Sequence, residues 1–89
     1  MDFNMVFETC IDFAMAHGGT IATYPVGYRK LEVHSRTTRT EIAVEHVSNG
    51  VWQIEHAQDA SGERETMQVS TTEDLKAHLL RLWAQPEIT

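Results

Sequence analysis

The sequence predicts an α+β domain, an antiparallel four-stranded meander sheet with N- and C-terminal helices packed on one face in the order αββββα. Three observations predict it. Apolar residues recur at helical spacing at the start, a turn with Asn before Gly stands between two alternating apolar runs at the centre, and a capped amphipathic segment follows near the end. At 89 residues and 42% hydrophobic, the chain is long enough for one compact domain over residues 1–89 with a modest core, and too short for two.

The first helix is expected to start after Asp2 or Asn4, either of which can cap exposed amides, and to run to about His17. Phe3, Val6, Phe7, Cys10 and Ala14 form its apolar stripe, widened by Ile11 and Phe13, so most of the helix should be buried. Glu8 and Asp12, four apart, share a flank that should face solvent. Gly18 and Gly19 end the helix, one as a left-handed cap and the other as a loose exit into the next strand.

Thr20 to Tyr24, β-branched and aromatic, is the first strand candidate, closed by Pro25-Val26-Gly27. From Arg29 to Arg36 the pattern alternates strictly. Leu31 and Val33 point one way, and Lys30, Glu32, His34 and Arg36 point the other, as in a half-buried strand. Thr37 to Arg39 turns the chain into the central hairpin.

The register of that hairpin follows from side-chain directions. A two-residue Asn49-Gly50 loop would put Ile42 and Val44 on the opposite face from Trp52 and Ile54. A three-residue loop, Ser48-Asn49-Gly50, instead sets Val47 opposite Val51 and gathers Ile42, Val44, Trp52 and Ile54 on one face. This second register asks Gly50 to take the left-handed conformation of a bulge. The other face then carries Glu41, Glu45, Gln53 and Glu55, with Ala43, Val47 and Val51 among them. After a loop from Gln58 to Glu63, broken at Ser61-Gly62, Met67 and Val69 mark only a last short strand.

Ser70-Thr71-Thr72-Glu73-Asp74 offers two overlapping capping boxes, Ser70 with Glu73 or Thr71 with Asp74. Leu75, Leu79, Leu82 and Trp83 then make one apolar stripe, and Pro86 stops the helix. That stripe needs the sheet and the first helix to bury against.

Chemistry is sparse. There is no G-x-S-x-G, no G-x-x-x-x-G-K and no G-x-G-x-x-G, so no enzyme activity and no cofactor are expected. Cys10 lies in an apolar helical stripe and reads as a small buried hydrophobe. The five histidines form no H-x-x-x-H pair, and the single cysteine excludes paired-cysteine zinc patterns, so no metal site is expected. His46 and His56 share a face with Trp52 and Ile54 and read as sheet-edge histidines satisfied by backbone groups. His34 and His78 are expected to be exposed.

The net charge of −6 is unevenly spread. Arg29, Lys30, Arg36 and Arg39 are four of the seven basic residues, while from Thr40 to Leu75 only Arg64 offsets eight carboxylates. The net sign argues against direct nucleic-acid binding, which relies on clustered Lys and Arg. The acidic set Glu41, Glu45 and Glu55 and the basic set Arg29, Lys30, Arg36 and Arg39 are the candidate protein-binding residues. An acidic sheet face suits a basic partner surface, including one that normally holds nucleic acid. One cysteine, no secretory leader pattern and no apolar run of about 20 residues point to the cytoplasm and to no membrane contact.

The hairpin E-x-V-x-N-G, here Glu45-His46-Val47-Ser48-Asn49-Gly50, followed by a helix opened by S-T-x-E-x-L, here Ser70-Thr71-Thr72-Glu73-Asp74-Leu75, resembles some phage-encoded anti-CRISPR proteins. The resemblance covers the C-terminal half. It implies a non-enzymatic inhibitor without a cofactor, which binds a larger protein or nucleoprotein complex in the cytoplasm of a bacterial host. The matching positions are structural, so the resemblance transfers no functional residue. A homodimeric accessory or immunity-type module, pairing through edge strands, is the alternative.

Overall fold

Alternation along five strands divides the sheet into a covered and an open face. The computed structural model describes residues 1–25, 27–37, 40–57 and 64–83. In chain order these form α1 (Phe3–His17), β1 (Gly19–Thr23), β2 (Lys30–Ser35), β3 (Glu41–Ser48), β4 (Val51–Ala57), β5 (Arg64–Val69) and α2 (Thr72–Trp83). The strands follow one another as an antiparallel meander, β1-β2-β3-β4-β5. The expected loop from Gln58 to Glu63, the turn at Thr38 and Arg39, and the stop at Pro86 lie outside the described residues.

The sheet has five strands, not four. The segment marked by Met67 and Val69 is a six-residue strand paired with β4 along its length, from Trp52 opposite Val69 to Ala57 opposite Arg64. Arg64, Glu65 and Gln68 have little strand preference of their own, so the ladder beside them sets their conformation.

The covered face carries Leu31, Val33, Ile42, Val44, Trp52, Ile54 and Val69, all buried. Both helices supply the rest of one core, Val6, Cys10, Phe13 and Ala14 from α1 and Leu75, Leu79 and Leu82 from α2. α1 lies over β1 and β2, α2 reaches β5, and the helices touch each other. Phe3, Phe7, Ile11 and Trp83, expected in the buried stripes, are only half-buried, and Glu8 and Asp12 are exposed. No helix among the described residues is long and apolar enough to cross a membrane.

Capping resolves the alternatives. Asp2, not Asn4, caps α1 by accepting the Met5 amide at 2.9 Å. Thr71 wins at α2, its hydroxyl accepting from the Asp74 amide at 3.1 Å. Gly18 is the left-handed cap, with φ +71° and its N–H on the Ala14 carbonyl. Gly19 is no loose exit. It opens β1 opposite Ser35, one residue earlier than expected.

The hairpin keeps the expected faces, with Val44 opposite Ile54 and Glu45 opposite Gln53. Its tip differs by one residue: Ser48, not Val47, stands opposite Val51, and Val47 is the extra residue of the irregularity. Gly50 takes φ +75°, as the turn requires.

Candidate functional site

The open face is built by cross-strand pairing. β2 and β3 bring Lys30 opposite Glu45 and His34 opposite Glu41, and β4 adds Gln53 opposite Glu45 and Glu55 opposite Ala43. Lys30 Nζ lies 3.9 Å from Glu45 Oε2 and 4.8 Å from the centre of the Tyr24 ring. Such exposed pairs are worth under about 1 kcal/mol, so they orient side chains more than they stabilise the fold.

Glu32 is held from two sides. Its Oε2 accepts the Tyr24 hydroxyl at 2.5 Å and its Oε1 lies 2.9 Å from His34 Nε2. On the other side of the ring His34 Nδ1 is 3.6 Å from Glu41 Oε1. The Tyr24 hydroxyl, and after it His34 and Lys30, hold the Glu32 carboxyl below its ordinary range, against the opposing effect of partial burial. The same hydrogen bond pushes the Tyr24 phenol up, because deprotonation would place an anion beside a carboxylate.

Glu32, His34 and Glu41 present donor atoms within 4.8 Å of one another. As placed, the two carboxylates address different ring nitrogens. An ion on one nitrogen would leave the other carboxylate behind the ring, so as placed Glu32 and His34 form a hydrogen-bonded pair with Glu41 at ion-pair distance, and the three do not share a coordination sphere.

The basic set is spread along β2. Lys30 belongs to the acidic face, Arg29 precedes β2 at one end, and Arg36 is exposed beyond its other end, roughly 20 Å away along an extended strand. Arg39 lies outside the described residues. Of the acidic set, Glu41 and Glu45 are exposed and Glu55 is half-buried. His34 and His78, expected to be exposed, are half-buried. His46 and His56 are on interior strands, not edges. His46 meets the Trp52 ring edge-on at 5.1 Å, and His56 is buried, which lowers its pKa.

Sequence reasoning saw Glu32 and His34 only as polar positions of a strand. The signal that unites them with Glu41 is the β2–β3 register, which alternation within one strand does not supply.

A second feature adjoins this face at Tyr24, where the first turn of α1, the β1–β2 connection and the β3–β4 turn meet around a groove of about 890 Å³. Arg29 lines it with φ +47°, a left-handed conformation that costs a non-glycine residue about 1–2 kcal/mol. The Arg29 carbonyl accepts the His46 amide at 3.0 Å, which ties this backbone to β3.

Cys10 is fully buried, and burial pushes its thiol up to about 12. Its thiolate is scarce at neutral pH, so the structure keeps it a packing residue. No protein-family model matches this chain, and neither does any curated protein or solved structure.

Proposed function

We propose that this chain is a small non-catalytic binding protein that docks through the open face of its sheet on a basic surface of a larger nucleic-acid-handling complex and inhibits it. The observation that carries this reading is the charge of that face. Glu32, Glu41, Glu45 and Glu55 stand on three adjacent strands, and Lys30 is the one cation among them whose side chain is described. A surface that holds a phosphate backbone is rich in Lys and Arg, and a sheet of carboxylates complements the same charges. Holding Glu32 between Tyr24 and His34 reduces the ordering left to be done on binding. The finer reading, an inhibitor of phage or mobile-element origin, rests on the anti-CRISPR resemblance of the hairpin and the second helix.

Phage plating on a bacterium with an active CRISPR effector tests the proposal. The wild-type chain should restore plating, the double reversal Glu41→Lys with Glu45→Lys should lose at least about tenfold of that effect, and Arg36→Glu should retain it. Binding to the purified effector should weaken as salt rises. A wild-type chain without effect on plating sinks the inhibitor reading, and a fully active double reversal removes the sheet face from it.

A second reading is favoured by β1, an edge strand whose residues Gly19–Thr23 include no charge and no proline, the devices that usually block edge-to-edge pairing. Two copies paired through β1 would make the chain a homodimeric module. A monomeric mass at every concentration by light scattering excludes it.

A further inference from the structure

The groove beside α1 has the size of a small-molecule site and a wall that is largely aromatic. Phe3 and Phe7 stack with ring centres 6.0 Å apart, and Trp52 lies 5.8 Å from Phe3 with its indole N–H donated to the Met1 carbonyl at 3.0 Å. Arg29 stands in the same lining, held in its left-handed conformation by the bond from the His46 amide. Among the described residues its guanidinium makes no hydrogen bond or ion pair. Asp2, the carboxylate of the lining, is already committed as the cap of α1. The groove therefore combines an aromatic wall with the Arg29 guanidinium, a cation that no side chain of the lining engages.

We propose that this groove binds a small planar aromatic acid, its ring against Phe3 and Phe7 and its carboxylate or phosphate on Arg29. A guanidinium offers a forked pair of donors that matches such an anion, and aromatic faces favour a flat partner. A neutral ligand would leave the guanidinium without a partner. Tyr24 is the one side chain common to this groove and the hydrogen-bonded cluster on the sheet, so the proposal stands whether or not that face docks a partner.

The test is a titration of the nitrogen-labelled full chain with naphthoate, followed by amide resonances, with naphthyl methanol as the neutral match. Naphthoate should give saturable shifts at Phe3, Phe7, Arg29 and His46 while Glu41 and Glu55 stay unmoved. The alcohol should bind about tenfold more weakly, the worth of one charge-assisted contact. Arg29→Gly removes the guanidinium and at the same time relieves the left-handed backbone, so it should melt no lower than the wild type yet bind acid and alcohol alike. Three results overturn the proposal: no saturable shift at the groove, an unchanged naphthoate affinity in Arg29→Gly, or an alcohol that binds the wild type as well as the acid does. The last would mean that the groove takes an apolar side chain of a partner instead of an anion.

Discussion

Gly19 and Trp83 meet so closely that a Cβ on Gly19 would stand 2.9 Å from Cη2 of the indole, and equally 2.9 Å from the carbonyl oxygen of His34. This contact joins the start of the sheet to the end of α2. Phe13 packs edge-on against the same indole at 5.4 Å, so the ring is held from a second side. Gly19→Ala should lower stability by about 1–3 kcal/mol in denaturant unfolding, the usual effect of overpacking. Adding Trp83→Leu should recover only part of the loss, because the other close atom is backbone of the paired strand. An unchanged midpoint for Gly19→Ala would show that the indole moves aside freely.

Ile54 is fully buried opposite Val44 and Met67. Ile54→Ala should cost about 2–4 kcal/mol, the range for deleting a core side chain. Glu55 is half-buried on the other face, and Glu55→Ala should cost less than about 1 kcal/mol. Equal costs at the two positions would contradict the register.

Thr71 supplies the observed cap of α2, so Thr71→Ala should cost about 0.5–2 kcal/mol, whereas Ser70→Ala should be nearly neutral. Thermal melting of the two single variants separates them. A larger loss from Ser70→Ala would mean that α2 starts one residue earlier.

His56 is buried on β4, and burial lowers its pKa below the ordinary 6.5, with Glu65 opposing the shift and Arg81 adding to it. Glu65 and Arg81 are themselves paired at 3.0 Å. A histidine held neutral in the fold binds protons more readily when unfolded. Its contribution is therefore present above about pH 6.5 and is lost as pH falls through the folded value. Stability measured between neutral pH and about pH 5.5 should fall, and His56→Gln should flatten that slope whatever it does to the absolute value. Glu32, whose pKa is also lowered, adds a further loss only below its ordinary 4.5. An identical slope in His56→Gln would assign the decline to other groups.

Much of the fold was legible because the deciding interactions are local. Alternation at Leu31 and Val33 named the covered side of β2, and the four apolar residues of the hairpin chose its register. Where two local solutions competed, as between Ser70 and Thr71 or Asp2 and Asn4, the sequence left both open. β5 was underestimated because Arg64, Glu65 and Gln68 carry little strand preference of their own. The candidate site was legible as a list of charged positions on one face, but its grouping was not. Arg29 and Arg36, named together as a basic set, stand at opposite ends of β2, while Lys30 pairs with Glu45 across the strands.

By itself the sequence determined the class of the domain, the two helices, the central hairpin and the side of β2, β3 and β4 that enters the core, since backbone periodicity and turn chemistry act over a few residues. Tertiary structure alone decided the fifth strand's pairing, the approach of Gly19 to Trp83, the meeting of Glu32, His34 and Glu41, and the groove at Arg29. Each of these depends on which residue stands across from which. That choice is driven by burying Ile42, Val44, Trp52 and Ile54 on the covered face, where most of the apolar area lies. The neighbours on the open face follow from it, so their chemistry cannot be read from their own spacing.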